Sequence, residues 1–154
     1  MFDLIAGIPI HPLVVHAVVV LFPIFSIYLM YSIYKGKFIR QQGLLLICSG
    51  LIAGFAFLAN QSGEVLASRV GLNTTHALYG KLTTVLSAGI FFLLLAYWVL
   101  GPRISRSLQR LVRLGLFLAA LASLAMIFLA GHSGAKSAWE KKIAGTHVGD
   151  HPTE

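Results

Sequence analysis

Six histidines occur in the 154 residues, and their placement bears on chemistry more than their number does. His11 and His16 open one long apolar run, His76 opens another and His132 closes a third, while His147 and His151 follow near the C-terminal end. Neutral imidazole is a good ligand for iron, zinc and copper. Two histidines on separate helices meet the side-chain needs of a haem b held within a bundle, because the porphyrin fills the remaining iron positions. A carboxylate-rich di-iron site is not expected. The acids nearest the histidines are Glu64, Glu140 and Asp150, all outside the apolar runs. No nucleophile motif or deep acid pair suggests a hydrolytic enzyme. His147 and His151, four apart around Asp150, would suit a metal if helical, but Gly149 and Pro152 oppose a helix there. A single cysteine, Cys48, excludes an intrachain disulfide and a cysteine-built zinc site, and reads as a small packed side chain.

These residues must be positioned by elements that water alone cannot explain. The chain is 57% hydrophobic and 11% charged, with a mean hydropathy of +0.82. A soluble domain carries about 25% charged residues. The surface must therefore face lipid. Four runs are long enough for helices that cross a bilayer, at 12–34, 42–60, 75–100 and 111–131. Their unbroken apolar character fits helices better than alternating strands. Short connections make neighbouring helices antiparallel. The expected fold is all-α, an integral membrane four-helix bundle over 1–132, with an interfacial or extramembrane tail over 133–154. In that tail, Trp139 and the lysines of Ala135–Ile143 suit a lipid headgroup region. The opening Met1-Phe2-Asp3-Leu4 lacks a basic segment and the first run is too long for a signal-peptide core, so that run is expected to stay as an anchor.

Basic residues set the orientation. Lys35, Lys37, Arg40, Arg103, Arg106, Arg110 and Arg113 lie at one end of the spans. Arg69, Lys81, Lys136, Lys141 and Lys142 lie at the other. The positive-inside tendency places both termini on the outer face. The charge of +7 thus reports topology rather than nucleic-acid binding. Because alternate helices reverse direction, His11, His16, His76 and His132 converge on one layer at that face. One such histidine reads as an interfacial side chain. Several from three helices read as a site, since ionisable groups inside a bundle are costly. His76, Gly80, Thr83 and Ser87 draw a small, polar stripe that should face the interior. Gly43, Gly50 and Gly54, and Gly115, Ala119, Ala122 and Met126, suggest close-packed helix faces. Pro23 is tolerated in a membrane helix.

The opening Ile10-His11-Pro12-Leu13-Val14-Val15-His16, followed by Pro23, resembles a bacterial four-helix membrane domain of unknown function, number 2231. That family typically opens with His-Pro-Leu-x-x-His and closes its last helix with a glycine-rich turn. Ala130-Gly131-His132-Ser133-Gly134-Ala135 would be that turn here, with Ala135 at an expected glycine. His76 falls where the family often has a histidine opening helix three. The resemblance implies a fold and a bacterial inner-membrane location. Relatives joined to redox domains lend support to electron transfer.

The resulting expectation is a b-type cytochrome-like subunit holding haem near the periplasmic face, passing electrons between an outer redox partner and a membrane partner such as quinone. His16 and His76 are the expected ligand pair, with His132 and His11 as a second pair. The competing reading is a non-catalytic structural or assembly subunit of a larger membrane complex, which needs only the packing faces. A permease is disfavoured by the lack of broken helices and midplane charge.

Overall fold

A computed structural model describes residues 4–5, 8–70 and 74–144. A minimal antiparallel ladder, β1 (Leu4–Ile5) with β2 (Ile8–Pro9), leads directly into the first helix. Four helices follow: α1 (Ile10–Tyr34), α2 (Phe38–Val70), α3 (Thr74–Leu100) and α4 (Arg106–Ala144). Each contains a stretch long and apolar enough to cross a membrane. Consecutive helices pack against each other and α4 closes on α1, so α1 lies diagonally opposite α3. The fold is the expected all-α membrane bundle with antiparallel neighbours.

Local chemistry sets the reversals at one end of the bundle. Gly36 ends α1 with a φ of 66°, a left-handed conformation that favours glycine. Lys37 N–H bonds the Ser32 carbonyl at 2.9 Å and Gly36 N–H bonds Ile33 at 3.2 Å, which satisfies the last carbonyls of α1. Ser32 Oγ then donates to Gln41 Oε1 at 2.6 Å and ties α1 to α2. After α3, a single 3-10 turn, Gly101–Arg103, carries Pro102. Ser105 caps α4 through its Oγ and the Leu108 N–H at 3.3 Å. Gln109 Nε2 donates to the Gly101 carbonyl at 2.8 Å, locking that reversal.

The core consists of Phe22, Phe25 and Leu29 from α1, Leu45, Ile52 and Ala56 from α2, Ile90 and Leu94 from α3, and Leu116, Ala120 and Ile127 from α4. Large apolar side chains cover the outside as well, among them Ile24, Ile47, Val85, Phe92 and Phe128. In water this would be an aggregating surface, whereas in lipid it is the solvated one. Most buried hydroxyls are satisfied within their own helices; Ser32 bonds across to α2, and Ser26 Oγ has no partner among the described residues. Ser49, Thr83, Ser87 and Ser123 each donate to a carbonyl three or four residues back.

Two expectations about packing change. Of the three glycines of the α2 stripe, Gly50 alone makes a close approach, to the Phe91 ring, while Gly54 is exposed with open space beside it. On α4 the buried line runs Leu116, Ala120, Ser123 and Ile127, one position away from the Gly115 stripe, and Gly115 itself is exposed. The physical reason is that a helix apolar all round gives no signal of which side points inward. The stripe on α3 does face the interior: Thr83 and Ser87 are buried.

The helices also exceed the apolar runs. α2 continues to Val70 and α4 to Ala144. The segment Ala130–Ala135, expected as a turn, is helical. Gly131 and Gly134 cost helix stability in water, but no proline follows to stop the helix, and backbone bonding simply continues.

Candidate functional site

The two additional helical stretches build the chemistry at the histidine end. His11, in the first turn of α1, lies against α2. His76, in the first turn of α3, lies against α4. His11 Nδ1 is 2.9 Å from the Ala59 carbonyl and 3.3 Å from Ser62 Oγ. His76 Nδ1 is 3.0 Å from the Ala130 carbonyl and 3.4 Å from Ser133 Oγ. Both serine hydroxyls donate to the same alanine carbonyls, at 3.1 and 3.0 Å. A carbonyl only accepts, so each Nδ1 carries its proton and donates. In the neutral ring that leaves Nε2 with the lone pair.

Glycines press on both rings. A Cβ on Gly63 would stand 2.9 Å from His11 Cε1, and one on Gly134 would stand 3.0 Å from His76 Cε1. Each imidazole is thus held between a carbonyl and a glycine of the next helix. The two rings meet across the bundle with centroids 6.3 Å apart and planes at 84°.

The halves of the chain repeat one another. His11-Pro12-Leu13 answers His76-Ala77-Leu78, and Ala59-Asn60-Gln61-Ser62-Gly63 answers Ala130-Gly131-His132-Ser133-Gly134. At the offset that relates His11 to His76, the buried line Val18, Phe22, Phe25, Leu29 and Ser32 of α1 answers Thr83, Ser87, Ile90, Leu94 and Tyr97 of α3. At the offset that relates Ala59 to Ala130, Leu45, Ser49, Ile52 and Ala56 of α2 answer Leu116, Ala120, Ser123 and Ile127 of α4. Each helix pair supplies one histidine and its own clamp. The repeated Ala-x-x-Ser-Gly is the signal that ties Ser62 and Gly63, which a residue-by-residue reading does not single out, to Ser133 and Gly134 of the segment expected as a glycine-rich turn.

A cavity of about 720 Å³ opens beside the two imidazoles. Its walls are mainly apolar, including Val15, Val18, Ala56 and Ile127. Exposed lining residues on α2 and α3, namely Glu64, Leu78 and Lys81, mark a mouth between those helices.

Of the residues singled out from sequence, His11 and His76 come together. His16 is exposed, its Nδ1 hydrogen bonds the Pro12 carbonyl of its own helix, and it does not line the cavity. His132 is exposed and stacks on Phe128 of α4, with centroids 6.3 Å apart and planes at 12°. His147 and His151 lie outside the described residues. Cys48 is half-buried against the core.

No curated protein and no solved structure matches the chain. The family described as predicted membrane protein (DUF2231) matches residues 7–147, a stretch that contains both histidines, both clamps and all four spans. With nearly its whole length matched, this chain belongs to that family of membrane proteins.

Proposed function

We propose that this protein is a haem-binding electron-transfer subunit of the membrane, with His11 and His76 as the axial pair. One observation carries the reading: two imidazoles, each anchored through Nδ1 to a backbone carbonyl, stand 6.3 Å apart. Metal–imidazole bonds of about 2.0–2.1 Å, with roughly 1.2 Å from each nitrogen to its ring centre, put the centroids of two such ligands about 6.4 Å apart. The spacing would accommodate an ion between them with both Nε2 atoms turned toward it. Anchoring of the far nitrogen is the usual outer support of a metal-ligating histidine.

Ligand number favours porphyrin iron over a bare ion. A structural zinc site takes four protein ligands. Among the described residues, no group of three or more histidine, cysteine, aspartate or glutamate side chains is placed to hold a metal. Two axial imidazoles suffice for haem, whose own nitrogens complete the coordination. The apolar cavity next to the pair suits the flat macrocycle, and would supply a one-electron carrier screened from water. Gly63 and Gly134 keep the rings in register, while Ser62 and Ser133 add polarity to the carbonyls that orient them. The positive-inside tendency of the basic residues at the opposite end supports a site on the outer face, the periplasmic side of a bacterial inner membrane. A periplasmic redox subunit and a membrane carrier such as quinone are then the natural partners.

The test is the absorbance of protein produced with ample haem and purified in detergent. The wild type should show a redox-sensitive Soret band. His11→Ala and His76→Ala should each abolish it, and the double variant should lose nothing more, since both serve one site. His16→Ala and His132→Ala should leave it intact. A colourless wild type that co-purifies with a fixed partner would instead support a structural or assembly subunit and end the haem reading.

A further inference from the structure

We infer that Lys81 orients the porphyrin by pairing with its propionate carboxylates, an inference that rests on the haem reading above. Lys81 lies about two turns into α3 from its histidine end and is exposed. A lysine at that depth must direct its ammonium to water, to headgroups or to a partner charge. It lines the same cavity as His11 and His76, and is the one lysine or arginine among the described residues that do so.

The placement suits a carboxylate at the rim rather than a ligand to iron. Lys81 follows His76 by five residues, about 7–8 Å along α3 and about 140° around it. Exposed and lining the cavity, it stands at the mouth, off the imidazole layer, where its stem can lie along apolar surface while the ammonium reaches out. Haem b has a matching polarity, with an apolar macrocycle and two carboxylates on one edge, several ångströms from the iron. Glu64, also at the mouth, has its carboxylate 3.4 Å from the Asn60 amide. It repels a propionate that Lys81 attracts. The two charges together give the site a preferred way round for an otherwise nearly symmetric disc.

Full-length protein titrated with iron protoporphyrin IX and with its dimethyl ester tests this. Lys81→Gln should weaken binding of the free acid roughly 10- to 100-fold, the size expected for loss of a charge-assisted bond. The Soret shape at saturation should be unchanged, because both histidines remain. Lys81→Arg should restore most of the affinity, and the dimethyl ester should bind wild type and Lys81→Gln equally. Equal binding of the free acid by wild type and Lys81→Gln would overturn the inference while leaving the histidine pair standing. Equal weakening of acid and ester would also overturn it, by making Lys81 a structural residue. A wild type that binds neither porphyrin removes the haem reading and this inference together.

Discussion

Replacing Gly63 with alanine should disturb His11 far more than it disturbs the fold. The new Cβ would stand 2.9 Å from Cε1 and 3.2 Å from Nδ1 of that ring, whereas ordinary contact begins at 3.4 Å. The ring must retreat by about half an ångström. It cannot swing away freely, because Nδ1 is bonded to Ala59 at 2.9 Å. A retreat of that size carries the hydrogen bond to the edge of useful geometry. The losses are about 0.5–1.5 kcal/mol for a weakened bond and about 0.5–1.5 kcal/mol for an off-rotamer side chain. Against them stands a gain of about 1 kcal/mol from removing a glycine inside a helix. The net change in stability is therefore roughly 0–2 kcal/mol, whereas the local change at the ring is large. Ring nitrogen chemical shifts of the protein in detergent, recorded without haem, read the second quantity directly. Gly63→Ala should shift the His11 signals, Gly134→Ala should shift those of His76, and Gly54→Ala should move neither, since open space lies beside that glycine. Unchanged His11 shifts in Gly63→Ala would refute the clamp and, with it, the idea that α2 positions this imidazole.

Two further outcomes follow from the packing and the charge distribution. Gly50→Leu should reduce the yield of folded monodisperse protein, because a Cβ added there would meet the Phe91 ring at 3.2 Å, while leucine at Gly54 or at exposed Ile47 should be tolerated in size-exclusion profiles. A reporter fused after Glu154 should behave as periplasmic and one inserted at Gly36 as cytoplasmic, and the reverse pattern would move the histidine end to the other side of the membrane.

The amino-acid sequence alone determines the spans. Runs of about 20 apolar residues can only cross lipid as helices, because lipid offers no partner for a bare peptide group. Four such runs joined by short loops then place His11, His16, His76 and His132 at one end of the bundle. Rotation about each helix axis is a different matter. His11 and His16 are five residues apart, about 140° around α1, so only one of them can face the centre. In a soluble helix the polar side would betray which. Here lipid accepts apolar side chains on the outside just as the core does on the inside, and the hydropathy pattern is nearly blind to direction. The choice of His11 over His16, of Gly50 over Gly54 and of Leu116 over Gly115 is made by steric fit between helices. The clamps were hidden for a related reason. Ser62, Gly63, Ser133 and Gly134 lie where the apolar runs fade, and each gains meaning only when the next helix lays an imidazole against it.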